Sequence, residues 1–140
     1  MVEFKKIDEL SNIELIDIFE ARIDVFVVEQ NCPYKEIDEL DKICYHAFIK
    51  DNNKIAAYLR IIFKDDYAII GRVITTKRNQ GFGIQILKEA INFIKDNGYN
   101  HIEIEAQTYA IGFYQKCGFI PYGNKFMMDN IEHIKMKLDL

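Results

Sequence analysis

Between Arg78 and Gly83 the sequence reads Arg-Asn-Gln-Gly-Phe-Gly, and it joins two segments of different period. Tyr67 to Thr75 reads as a buried strand, and from Phe82 onward apolar residues recur at helical steps. A strand feeding a glycine-bearing turn that opens a helix presents bare backbone N–H groups at a positive helix end, a place to hold phosphate. A dinucleotide fingerprint needs a third glycine three residues after the second, and a P-loop needs Gly-Lys-Ser/Thr. Ile84, Gln85 and Ile86 follow Gly83, so neither nucleotide motif is present. Taken alone, the hexamer fits a phosphate site or an ordinary strand-to-helix turn that needs glycine for its backbone.

At 140 residues, 49% hydrophobic and 29% charged with two prolines, the composition predicts one folded domain over residues 1–140, with no linker. The net charge of −4 without a basic run argues against nucleic acid or an anionic membrane as a partner, and suits an amine-bearing substrate better. Cys32, Cys44 and Cys117 are odd in number and lack a Cys-x-x-Cys pair, and His46, His101 and His133 are scattered. Neither a disulfide framework nor a metal site is expected. Met1 to Lys6 lacks an apolar signal core and no run approaches the ~18 residues of a membrane span, so a cytoplasmic protein is expected.

Val2 and Phe4, with Ile7 more loosely, begin as a short strand. Ser11-Asn12-Ile13-Glu14 is a capping box that starts a helix, with Ile16, Phe19, Ile23, Phe26 and Val27 on one face and an end near Glu29. Residues 30–41 read as a polar loop with one short helical turn. Cys44 to Lys50 and Ile55 to Phe63 form a hairpin about Asp51-Asn52-Asn53, and Tyr67 to Thr75 completes a meander. The helix after the glycine turn places Ile84, Leu87, Ile91 and Ile94 on one face and ends at Asn97-Gly98. A strand over Tyr99 to Ala106, a short helix from Thr108 to Lys116, and strands over Phe119 to Phe126 and Glu132 to Leu138 follow. The order β α β β β α β α β β predicts a mixed α+β fold.

In that order the glycine turn falls between the fourth strand and the following helix. There Arg78-x-x-Gly81-x-Gly83 resembles the pyrophosphate-binding turn of the GNAT superfamily of acetyltransferases. Tyr114-Gln115-Lys116-Cys117-Gly118-Phe119 resembles that family's second signature, a tyrosine four residues before a Gly-Phe pair. Arg22 to Tyr34 with Glu36, Asp38, Asp41 and His46, together with Gly71-Arg72-Val73 and Ile131 to Met136, is similar to the ElaA-like branch. One departure stands out, since only Ile74 to Lys77 separate Val73 from Arg78 and the resemblance implies a longer connection.

The resemblance implies a GNAT acyl-CoA N-acyltransferase fold: a mixed sheet of six to seven strands with helices on both faces. It also implies an acetyl-CoA-dependent N-acetyltransferase in which a small-molecule or protein primary amine attacks the thioester directly. The alternative is a catalytically silent acyl-CoA-binding sensor or scaffold, and either would be a monomer or a homodimer. Acetyl-CoA, the implied cofactor, would meet backbone N–H groups of Asn79, Gln80, Gly81, Phe82, Gly83 and Ile84, with Arg78 shaping the turn or touching phosphate. Val73 and Ile74 would pair with pantetheine between splayed strands, Gln107 would serve the same arm, and Tyr114 would protonate the leaving thiolate. Period-two alternation puts His101, Glu103, Glu105 and Gln107 on one face of the fifth strand, so Glu103 and Glu105 are the candidate bases unless that face is merely solvated. Glu36, Asp38, Asp41 and His46, joined by Arg72 and His133, form a second set that would gather around a cationic acceptor, with a solvated loop as the alternative. For Arg22 an internal salt bridge to the acidic loop is expected.

Overall fold

Alternating strands and helices of the expected order form in the computed structural model, which describes residues 1–31 and 34–140. Among these residues the elements are β1 (Val2–Lys5), α1 (Asn12–Ile23), β2 (Tyr45–Asp51), β3 (Lys54–Phe63), β4 (Ala68–Thr75), α2 (Phe82–Asp96), β5 (His101–Gln107), α3 (Ile111–Gln115), β6 (Ile120–Met128) and β7 (Ile131–Asp139). Cys32 and Pro33 lie outside the described residues. Later in the same loop, Glu39–Lys42 makes the one short helical turn, a 3-10 turn capped by the Asp38 carboxylate on the Leu40 N–H.

Both tight hairpins use residues that tolerate positive φ: Asn52 and Asn53 between β2 and β3, Asp129 and Asn130 between β6 and β7. Their strand twist suits the seven-stranded sheet, ordered β1-β2-β3-β4-β5-β7-β6. All neighbours are antiparallel except β4 and β5, whose parallel pairing is confined to Ala68 opposite Ile102 and Ile69 opposite Glu103. Beyond those two pairs the strands diverge. The β5-facing edge of β4 from Ile70 onward, and the β4-facing edge of β5 from Ile104 onward, pair with no strand among the described residues.

Helices cover both faces of the N-terminal half. Ile18 and Ala21 of α1 pack on Phe48, Ile55, Tyr58 and Ile74, whereas Ile86, Leu87, Ala90 and Ile94 of α2 pack on Ala47, Leu59, Ile70, Ile102 and Ile104 across the sheet. Tyr58 and Leu59, consecutive on β3, mark the two sides. Both helices are rotated from the expected faces. Ile16 and Ile23 are exposed and Ile84 and Ile91 only half-buried. In α1 the rotation follows from Arg22, which is fully buried against carboxylates and takes the central position of the packed face. In α2, Gly83 and Ala90 let the backbone approach the sheet on a stripe that hydrophobicity alone does not mark.

Helix α1 runs on to Glu29, as its spacing predicts, but residues Asp24–Glu29 take the wider π form. The short connection before the glycine turn is explained by β4 itself. Thr76 donates its N–H to Ala56 O at 2.9 Å and its hydroxyl to Ile55 O at 2.6 Å, so the strand ladder reaches almost to Arg78.

Candidate functional site

The glycine turn leaves backbone N–H groups open at a helix start. Asn79 and Gly81 take left-handed backbone (φ 62° and 78°), and Gly81 caps α2 with no side chain to occupy the first amides. The first intrahelical bond is Gln85 N–H to Gly81 O at 3.0 Å, which leaves the N–H groups of Phe82, Gly83 and Ile84 without helical partners. Their dipoles sum to a positive end that favours phosphate. The glycines differ in what holds them. A Cβ on Gly81 would meet open space, whereas one on Gly83 would sit 3.1 Å from the Phe113 ring and 3.2 Å from the Thr75 methyl. Gly83 is therefore also a packing glycine, since its missing Cβ lets α2 lie against Phe113 and Thr75.

Arg78, exposed beside the turn, pairs its Nη2 with Glu29 Oε1 at 2.6 Å. Gln107, at the end of β5, exchanges side-chain hydrogen bonds with Gln30 at 3.0 and 3.3 Å. Both sides of the diverging strands are thus tied to the end of the π-helical segment. No local pattern assigns these contacts to Glu29 and Gln30, because only the tertiary fold brings them to Arg78 and Gln107.

Within the gap, Val73 packs toward the α2 side and Ile74 toward the α1 side. A bulge sets their orientation: Tyr58 faces Ile74 and Arg60 faces Gly71, so Leu59 alone stands opposite Arg72 and Val73. The bulged Arg72 has φ 54°, rare for a residue with a side chain.

Tyr114 on α3 is 7% exposed, edge-on to Phe113 and Phe119, and its hydroxyl makes no hydrogen bond among the described residues. Burial raises its pKa well above that of an ordinary phenol, so it stays a neutral O–H donor. Neither described cysteine is an activated thiol. Burial pushes Cys44 up to about 12 and raises Cys117 as well.

On the opposite face of β5 the alternation places His101, Glu103, Glu105 and Gln107 across from Asp139, Lys137, Lys135 and His133 of β7. A cleft of about 150 Å³ opens here, where the β4–β5 pairing stops, lined by Tyr67, Ile69, Glu103, Ile104, Glu105 and Lys135. The two carboxylates have different surroundings. Glu103 receives the Tyr122 hydroxyl on one oxygen and His101 Nε2 on the other, and His101 Nδ1 lies 2.5 Å from Asp139. The hydrogen bond to Asp139, outweighing partial burial and reinforced by Glu103, raises the His101 pKa. Glu105 is exposed and makes no hydrogen bond or ion pair among the described residues.

Glu36, Asp38, Asp41, His46 and Arg72 do come together, but around internal cations. Arg22 pairs with Glu36 at 2.5 Å and Asp41 at 2.6 Å, as expected of it. Arg60 pairs with Asp38 at 2.8 Å and Asp41 at 3.1 Å. Arg72 lies 2.9 Å from Glu36 and 3.4 Å from Asp38, and donates to Glu36 O at 3.1 Å. Three guanidiniums meet three carboxylates, which leaves no net negative charge to draw a cationic acceptor. Burial raises the carboxyl pKa of Asp38 and Asp41, but their arginine partners outweigh it and hold both below the usual range. His46 is fully buried between the Tyr58 hydroxyl (Nδ1, 2.6 Å) and the Asp41 carbonyl (Nε2, 2.9 Å), and burial lowers its pKa. Its nitrogens are both engaged, so it has no site free to act as a base. Asp41, Cys44 and His46 bring potential ligand atoms within 4.8 Å of one another, yet Arg22 and Arg60 already hold the Asp41 carboxylate. His133 lies apart on β7, stacked on Phe126 and bonded through Nδ1 to Ile131 O at 2.7 Å. Arg60 was legible in the sequence as a charge inside the apolar run Ile55 to Phe63, which must be paired.

The arrangement combines an uncapped helix start, two strand edges left open by divergence, a neutral phenol, and a carboxylate-lined cleft on the far face. A family model described as an acetyltransferase (GNAT) domain matches residues 14–140. Protein ElaA of Escherichia coli is 34% identical over 97% of this chain and 95% of its own. Its crystal structure superposes with a TM-score of 0.93, covering 99% of both chains at 32% identity. An acyl-CoA N-acyltransferase from Pseudomonas aeruginosa gives a TM-score of 0.91 at 28% identity, again over 99% of both chains. An uncharacterized N-acetyltransferase of Bacillus subtilis, YjcF, is 35% identical over 90% of this chain and 93% of its own. With fold, glycine turn, strand divergence and these relatives in agreement, the chain belongs to the GNAT acetyltransferase family, in its ElaA-like branch.

Proposed function

We propose that the protein is an acetyl-CoA-dependent N-acetyltransferase that acylates a small primary amine by direct attack on the thioester. The observation that carries this reading is the two-pair limit of the β4–β5 ladder, which opens a gap between the α2 N-terminus and the Glu105 cleft. The acyl donor's pyrophosphate would lie on the N–H groups of residues 81–84, with Arg78 exchanging Glu29 for phosphate. Its pantetheine would bond the open edges of β4 and β5 as an added strand, with the thioester then near Val73 and Ile74.

An ammonium must lose a proton before its nitrogen can attack. Glu105, the unengaged carboxylate, accepts it and passes it to solvent. The neutral nitrogen then bonds the carbonyl carbon while the carbon–sulfur bond breaks and its electron pair goes to sulfur. Tyr114 gives the sulfur its proton and is restored from the nitrogen. Of the ammonium's three protons, one stays on the amide, one ends on coenzyme A and one is released. Of the two described cysteines, Cys44 is buried and Cys117 part-buried, and both thiol pKa values are raised, which supports a route without an acyl-enzyme at either.

The test is a panel of amines assayed by thiol release, with acyl-CoA binding followed separately by thermal shift. Tyr114→Phe should lower kcat about 10- to 100-fold at nearly constant KM for acetyl-CoA, the effect of one transition-state hydrogen bond. Binding of acetyl-CoA with no amine-dependent release would overturn catalysis and leave the sensor or scaffold reading.

A further inference from the structure

Glu105 and Lys135 face one another in register across β5 and β7, and both line the cleft. Directly opposed side chains on one face lie within easy reach. Yet the structure shows no ion pair between them, and neither meets another charged partner among the described residues. Of the neighbouring charges, Glu103 is held by His101 and Tyr122, His101 also by Asp139, and Lys137 stands over the Tyr122 ring at 5.1 Å. The cleft thus offers one free anion and one free cation on adjacent strands, walled by Tyr67 and Ile69. Its volume, about 150 Å³, gives room for a small molecule.

The geometry points to a free α-amino acid as the acceptor, its ammonium on Glu105 and its carboxylate on Lys135, an inference that rests on the transferase reading above. A diamine or polyamine fits less well, because its second cation would meet Lys135, and the other carboxylate lining the cleft, Glu103, is already held by His101 and Tyr122. In this arrangement Glu105 receives the proton while Lys135 decides specificity, since an acceptor without a carboxylate leaves the lysine unanswered.

The experiment compares α-amino acids with the amines left when their carboxylate is removed: alanine with ethylamine, leucine with 3-methylbutylamine. The readout is kcat/KM from thiol release for the native protein and for Lys135→Gln and Lys135→Glu, with acetyl-CoA binding followed in parallel. The native protein should prefer the amino acid of each pair by tenfold or more. Lys135→Gln should abolish that preference and Lys135→Glu invert it, with acetyl-CoA affinity and melting temperature unchanged because Lys135 is exposed. A native preference for the simple amines, or a preference unmoved by Lys135→Glu, overturns the inference while leaving the transferase reading intact. Release from no amine while acetyl-CoA binds overturns both.

Discussion

Gly81 and Gly83 stand two residues apart and answer to different forces. At Gly81 the demand is conformational, φ 78° in open space, so Gly81→Ala should cost about 1–2 kcal/mol from backbone strain alone and Gly81→Asn less. At Gly83 the demand is steric, since an added methyl would press on Phe113 and Thr75. Gly83→Ala should lower stability in urea by about 1–3 kcal/mol, and Phe113→Leu should recover part of the loss. If Phe113→Leu recovers nothing, the packing explanation for Gly83 fails. Arg22 gives a second contrast of this kind. It is 0% exposed and holds Glu36 and Asp41, so Arg22→Met, though matched in bulk, strands two buried carboxylates. The expected loss is about 3–5 kcal/mol by chemical denaturation, and a near-neutral result would mean that Arg60 and Arg72 suffice for the network.

At the scale of elements, Glu14 ties three together. It completes the capping box at the start of α1, with Ser11 N–H on Oε1 at 2.9 Å, and takes Lys50 of β2 at 2.8 Å and Lys5 of β1 at 3.2 Å. Burial pushes its carboxyl pKa up, but the Lys50, Ser11 and Lys5 hydrogen bonds win and bring it down to about 2 from 4.5. Because the folded value is the lower, the stabilisation is complete above about pH 4.5 and disappears as pH falls through about 2. Glu14→Gln should therefore lower stability at pH 7 by about 2 kcal/mol and flatten the acid limb over that window. An acid limb of unchanged slope would assign the pH dependence to Asp38 and Asp41 instead. The π-helical end of α1 belongs at this scale too. No sequence signal marks it, and it delivers Glu29 to Arg78 and Gln30 to Gln107.

Across the whole molecule the decisive feature is the divergence of β4 from β5. The amides of β4 after Ile69 that face the gap should exchange with deuterium faster than those bonded to β3, and acetyl-CoA should slow them. At 100 times its Kd the ligand should add about 2.7 kcal/mol to stability, seen as a rise in melting temperature. Protection confined to α2 would show that the strand edges do not take the pantetheine.

The element order, both hairpins, the capping box and the glycine turn could be read from the sequence because each is a local rule: period, turn residue or cap within a few positions. Charges in odd settings were legible as well, such as Arg22 opposite an acidic loop and two glutamates alternating along β5. Tertiary structure alone decided which face of α1 is buried, that Glu36, Asp38 and Asp41 are spent on three arginines, and that Glu105 is free while Glu103 is not. Those outcomes depend on which charges meet across strands and loops far apart in the chain, and a charge is a ligand or a structural partner according to whether a counter-charge has reached it first.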